Sequence, residues 1–340
     1  MEIDAIARLA QACFTSGPVV VLGSGASAPH GLPGMDALKD CLLEEVVPAG
    51  PEEEAAWLLV RTALANGDHL EQALVGKVLP HSLIKKIVAS TWACINSKDR
   101  TLFFRAVQLQ ERFPVGDLMK ALFQSNQKTV DVVTTNYDRA AEYACNSMEI
   151  VHSVGFLPGY IQSREGTAPI SFHRSGKPLR TVRIWKVHGS LDWFERPDGT
   201  TVSGPFFELP ASTLAPLIVT PGFNKYERTH DEPFRSAIQG ADRALEGAEG
   251  YLCVGFGFRD FHIEPKMLER CRRKNIPIAV IARTLTDEAK AFLKGKAGSK
   301  YVGLEATSAG SRAYIAERPD GIDLPVRNLW SLDGFLKLVT

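Results

Sequence analysis

Residues 130–138 read Val130-Asp131-Val132-Val133-Thr134-Thr135-Asn136-Tyr137-Asp138. The first four are short, mostly apolar and β-branched, as in a strand buried on both faces of a parallel sheet. The next five are densely polar. In open α/β sheets, ligands bind in the crevice outside the carboxyl ends of the strands. A polar cluster at such an end points to a binding site, provided other strand ends supply partners. A local use competes with this: Asn136 or Asp138 could cap a helix that begins near Arg139.

Three further strand ends carry such clusters. Val19-Val20-Val21-Leu22 runs directly into Gly23-Ser24-Gly25-Ala26-Ser27-Ala28. That segment fits G-x-G-x-x-[G/A] between a strand and a helix, where glycines let backbone N–H groups approach a pyrophosphate. A tight turn that merely needs small residues fits it too. A dehydrogenase would place an acidic residue about 20 positions on, at the end of a second strand. Glu44 and Glu45 have that spacing but lie in a helical pattern ending at Pro48, so hydride-transfer binding is disfavoured.

The second cluster is Lys186-Val187-His188-Gly189-Ser190-Leu191-Asp192-Trp193. Histidine suits proton transfer near neutral pH. The glycine beside it permits close ligand approach or a positive φ. A satisfied histidine at a strand end is the bland alternative. The third is Val254-Gly255-Phe256-Gly257-Phe258-Arg259-Asp260, whose glycines could let a nucleoside lie on backbone or simply make a turn. Asp260 reads as a helix N-cap rather than a catalytic acid.

Around these motifs the pattern alternates strand and helix. Helices are expected at 3–14, 34–47, 139–147, 234–245, 264–274 and 287–293, with a final turn at 334–339. Strands are expected at 19–22, 130–133, 182–187, 217–219 and 251–255, with 276–281 as the last core strand. Residues 155–181, rich in Gly, Pro and Ser, read as a loop or small hairpin. Residues 51–126 repeat at helical spacing and read as a helical insertion between the first two strands. The fold class is therefore α/β: a doubly wound, Rossmann-like, mostly parallel sheet with a helical insertion. Residues 1–340 read as one catalytic domain.

Composition excludes several classes. The 340 residues are 45% hydrophobic and 23% charged, with 39 basic and 39 acidic side chains. This balance gives no net pull toward nucleic acid or an anionic membrane. The run Arg270, Arg272, Arg273 and Lys274 reads as cations at a helix C-terminus. No 18-residue apolar stretch exists, and Met1-Glu2-Ile3-Asp4 is not patterned as a secretion signal. A cytoplasmic location is expected. Cysteines at 13, 41, 94, 145, 253 and 271 form no Cys-x-x-Cys pair, so six buried free thiols and no structural zinc are expected.

In order and spacing, the four motifs resemble a sirtuin-type NAD-binding domain, of the bacterial sirtuin-like branch found in anti-phage defence. The resemblance implies NAD as substrate. It implies that Gly23, Gly25, Ala26 and Ser27 line its pyrophosphate and ribose end. Asn136, with Thr135 beside it, would sit at the nicotinamide ribose and help place the attacking water. Asp138 would bind the carboxamide. His188 would be the general base, acting through ribose hydroxyls. Gly255 and Gly257 would approach the adenosine half. Protein-deacylating sirtuins carry a zinc ribbon with paired cysteines after the histidine, and residues 189–250 contain no cysteine. That departure shifts the expectation from deacylation to NAD glycohydrolysis without zinc, depleting NAD in defence. A deacylase, an ADP-ribosyltransferase or a non-catalytic NAD or ADP-ribose sensor are the alternatives. The resemblance also implies a homo-oligomer and a HerA-type ATPase as activator or regulator.

Overall fold

The computed structural model describes residues 2–164, 169–209, 213–220, 231–260, 262–326 and 328–340. Among them, nine strands form a central sheet. In spatial order they are Arg318–Leu324, Ser311–Ile315, Tyr301–Ala306, Ile278–Ile281, Tyr251–Val254, Val19–Leu22, Thr129–Thr134, Thr181–Lys186 and Val151–Ser153. From Tyr301–Ala306 to Val151–Ser153 every neighbouring pair is parallel. The two remaining strands add on antiparallel.

Alternate residues of each strand feed opposite faces. Val20, Leu22, Val132 and Leu252 pack with Ile6, Leu118, Ala144 and Phe335 of the helices Glu2–Thr15, Pro114–Leu122, Ala140–Ser147 and Leu332–Val339. Val19, Val21, Val133 and Cys253 pack with Ala241, Met267 and Phe292 of the helices Phe234–Gly247, Glu264–Lys274 and Asp287–Gly295. Burial on both faces explains why the strands read as apolar runs. The doubly wound α/β architecture is the one the pattern predicts.

Two strand assignments need correction. Ile278–Ile281 is not the last core strand, since residues 301–324 add three more. Ala215–Ile218 lies outside the central sheet. It pairs antiparallel with Gly189–Glu195, which continues through Thr201–Ser203 to Gln162–Ser163 as a second sheet. The chain leaves the central sheet at Gly189, where φ is 90° and a Cβ would stand 2.1 Å from Leu217 O. Part of the 155–181 loop falls outside the described residues; its remainder includes the expected small hairpin, His173–Arg174 with Lys177–Pro178.

The segment 51–126 is helical, with Gly50–Ala65, Leu70–Leu74, His81–Val107 and Pro114–Leu122. Its core joins the second sheet: Trp57 and Trp92 pack with Leu42, Leu191 and Phe194. Trp92 Nε1 donates to Leu191 O at 2.7 Å.

The expectation of six free thiols is overturned. The helix Met35–Glu45 lies against His81–Val107, bringing Cys41 and Cys94 to a Cα separation of 6.4 Å, and they form a disulfide. That spacing is within the range a disulfide spans. Cys13, Cys145, Cys253 and Cys271 are buried and free. The basic run does end a helix: Arg270 donates to Ala248 O at 2.7 Å and pairs with Glu249. No helix among the described residues is long and apolar enough to cross a membrane.

Candidate active site

The four motifs leave the sheet at one level. Leu22 is in register with both Val254 and Thr134, and Thr134 with Lys186. Neighbouring strands lie about 4.8 Å apart, so the four exits span roughly 15 Å. The chain order reverses direction about the first strand, which makes its end the topological switch point.

At that point glycine serves close packing. A Cβ on Gly255, whose φ is +58°, would stand 2.3 Å from Gly25 C and 2.4 Å from Ala26 N. A Cβ on Gly23 would stand 2.4 Å from Gly255 O. The N–H groups here are already committed: Gly23 donates to Val254 O and Gly25 to Gly255 O, both at 3.1 Å, and Ala26 to Gly23 O at 2.9 Å. The first two of these N–H groups hold the loop against the neighbouring strand end, and the third closes the loop on itself. Gly257 differs, because a Cβ there meets only ordinary contact with Thr286. Packing does not demand that glycine.

Asn136 ties two strand ends together. Its Nδ2 donates to Gly23 O at 2.9 Å and to Ser27 Oγ at 3.1 Å. Its own N–H donates to Thr134 Oγ1, which donates to Leu22 O. Thr135 sits half-buried on the same turn. Tyr137 OH donates to Val219 O at 2.5 Å, and Val219 N donates to His188 O at 2.8 Å, so the polar turn is also tied to the histidine loop.

Asp138 is buried, and its Oδ1 accepts from Ala140 N at 3.0 Å, the first residue of the helix that follows, whose N-cap position is Arg139. Desolvation pushes its pKa from 3.8 up to about 6, against the opposing pull of Lys186. Lys186, 1% exposed, donates to Asp138 O and to Glu142 Oε1. Burial would lower the pKa of Lys186, but Glu142, Asp192 and Asp138 together hold it above its ordinary value.

The raised Asp138 has a definite pH signature. The folded state holds the proton more tightly than the unfolded chain. The resulting stabilisation is full below about pH 4 and lost as pH rises through about 6. Denaturant titrations of wild type and Asp138→Asn from pH 4 to 7 should show wild type losing on the order of 2–3 kcal/mol relative to the variant. A pH-independent difference would contradict this environment for Asp138.

His188 Nε2 lies 2.9 Å from Asp260 Oδ2, within ion-pair range but poorly aligned for a hydrogen bond. Asp260 Oδ1 accepts from His262 N at 2.9 Å and Ile263 N at 3.2 Å. Asp260 is therefore not the expected helix N-cap, which is Ile263; one of its oxygens closes the turn before that helix and the other faces His188. This pairing leaves Nδ1 of His188 as the ring nitrogen turned from the carboxylate. Sequence reading quoted Asp260 in its motif but assigned it only the cap.

Ser27, Asn136 and Asp138 meet on the wall of one cavity, completed by Leu22, Ala26, His30, Val115, Thr134, Ala140 and Ala141. Its volume is about 10 Å³, room for a single water. Residues 130–296 match the family described as the SIR2-like domain. That segment holds three of the four motifs, and the Gly23–Ser27 loop packs onto it from outside the matched range. No curated protein matches the chain.

Among solved structures, the chain is similar to a Sir2 homologue mutant in complex with ADP-ribose, at 13% identity and a TM-score of 0.47 over 98% of this chain and 95% of that one. It is also similar to a Sir2 homologue–NAD complex, at 14% identity and a TM-score of 0.40 over 95% and 90% of the two chains. Among the described residues, no group of three or more His, Cys, Asp or Glu side chains could hold a metal.

Proposed function

We propose that this SIR2-like chain is an NAD glycohydrolase that cleaves NAD to nicotinamide and ADP-ribose. The observation that carries the proposal is the level convergence of four strand ends, with Asn136 bonded across two of them and His188 set against Asp260 on a third. Breaking the nicotinamide–ribose bond needs a held leaving group, an ordered water and stabilisation of a cationic sugar. Asp138 can hold the carboxamide, Asn136 can orient the ribose and water, and His188 can take a proton through the ribose hydroxyls.

On the same resemblance, the biological setting we propose is NAD depletion in anti-phage defence in the cytoplasm. The chain would act as a homo-oligomer with a HerA-type ATPase. The test is product analysis after incubation with NAD, with and without such a partner and an acyl-lysine peptide. Equal amounts of nicotinamide and ADP-ribose, unaffected by peptide, are expected. Nicotinamide release that depends on peptide would indicate a deacylase instead.

A further inference from the structure

The cavity wall includes a histidine that the functions assigned above leave unused. His30 is 6% exposed and ends the turn Ala28–His30 that follows the glycine loop. Its Nδ1 lies 2.6 Å from Glu111 Oε1. Arg105 Nη2 lies 3.2 Å from Glu111 Oε2 and donates to His30 O at 2.6 Å. With Arg105 on its other oxygen, the Glu111 carboxylate accepts a hydrogen bond from His30 Nδ1–H. This fixes the tautomer and leaves Nε2 as the ring's free basic nitrogen. The phenyl ring of Phe113, 4.9 Å away centroid to centroid, packs against the imidazole. The same wall carries Ser27, Thr134, Asn136 and Asp138, enough polar groups to hold the one water for which the cavity has room.

We propose that His30, oriented by Glu111, is the general base for the hydrolytic water, a role separate from that of the His188–Asp260 pair. The proposal rests on the glycohydrolase reading. In the step, the C1′–N1 bond breaks and its electron pair stays on the pyridinium nitrogen, which leaves as neutral nicotinamide. The water oxygen bonds to C1′. The water proton passes to His30 Nε2 and then to solvent, so NAD⁺ and water give nicotinamide, ADP-ribose and one proton. A base dedicated to water gives the site a nucleophile that does not depend on an acyl group.

Nicotinamide exchange isolates this role, because recapture of the ADP-ribosyl cation by labelled nicotinamide needs no activated water. Full-length wild type, His30→Gln and Glu111→Gln are compared for hydrolysis and for incorporation of labelled nicotinamide into NAD. His30→Gln should lower the kcat of hydrolysis by about 10²-fold, with KM and exchange changed only a few-fold. The exchange-to-hydrolysis ratio then rises by nearly the same factor. Glu111→Gln should shift the ratio the same way, by less. An unchanged ratio in an active enzyme, whether both rates fall together or neither falls, overturns the proposal alone. Absence of nicotinamide release by wild type would instead remove the glycohydrolase reading on which it rests.

Discussion

Replacing His188 by alanine is expected to slow NAD cleavage by about 10²–10⁴-fold, the usual worth of a positioned acid–base group. The fold should tolerate the change. The His188 carbonyl, not its ring, holds Val219, and the side-chain contact is the one with Asp260. Asp260 keeps two backbone donors when the imidazole is gone. Asp260→Asn should slow the reaction by less, since an amide oxygen can still accept at the turn and stand beside the ring. Initial rates of nicotinamide release, with melting temperatures as the control, measure both. A His188→Ala variant with wild-type rate would remove histidine from the chemistry.

The largest stability effect is expected at Asp99. Its side chain is fully buried on the long helix His81–Val107. It accepts from Arg139 N at 2.8 Å, Arg139 Nε at 2.9 Å, Arg139 Nη2 at 2.6 Å and Tyr143 OH at 2.7 Å. Removing the carboxylate strands a buried guanidinium, which typically costs 3–5 kcal/mol, about the full stability of a marginal domain. Asp99→Ala in urea denaturation should therefore lose roughly that amount. A loss below about 1 kcal/mol would mean that water reaches the guanidinium and replaces the ion pair. Arg139 directly follows Asp138, so this pair also fixes the polar turn of the site to the helical insertion.

The central sheet was legible because Val19–Leu22 and Tyr251–Val254 are apolar runs that stop abruptly at glycine, and Thr129–Thr134 and Thr181–Lys186 run into polar clusters. Val19–Leu22 and Tyr251–Val254 are buried at every position, and burial on both faces leaves no other composition open to them. Gly189–Glu195 was not legible as a strand. Its start at Ser190, Leu191 and Asp192 reads as the tail of a motif, and its pairing with Ala215–Ile218 is long-range. The antiparallel edge beyond Tyr301 was missed because Arg318–Leu324 is largely exposed and polar.

In the site, Asn136 and Asp138 stood out as polar residues at a strand end. Asp260 was half read, because a local turn accounted for one oxygen and hid the other. His30 lay beside the glycine loop in Pro29-His30-Gly31, but its partner Glu111 is 81 residues away and carried no local signal. The Cys41–Cys94 link, 53 residues apart, was invisible for the same reason.

The most direct measurement is nicotinamide release from NAD by the purified full chain and its Asn136→Ala variant, assayed side by side with and without an activating partner. Asn136 donates two hydrogen bonds, each worth about 1 kcal/mol, so the variant should stay folded. The account expects nicotinamide and ADP-ribose in equal amounts from wild type and at least about 10²-fold slower release from the variant. No nicotinamide from wild type under either condition, or equal rates from the two proteins, would contradict it.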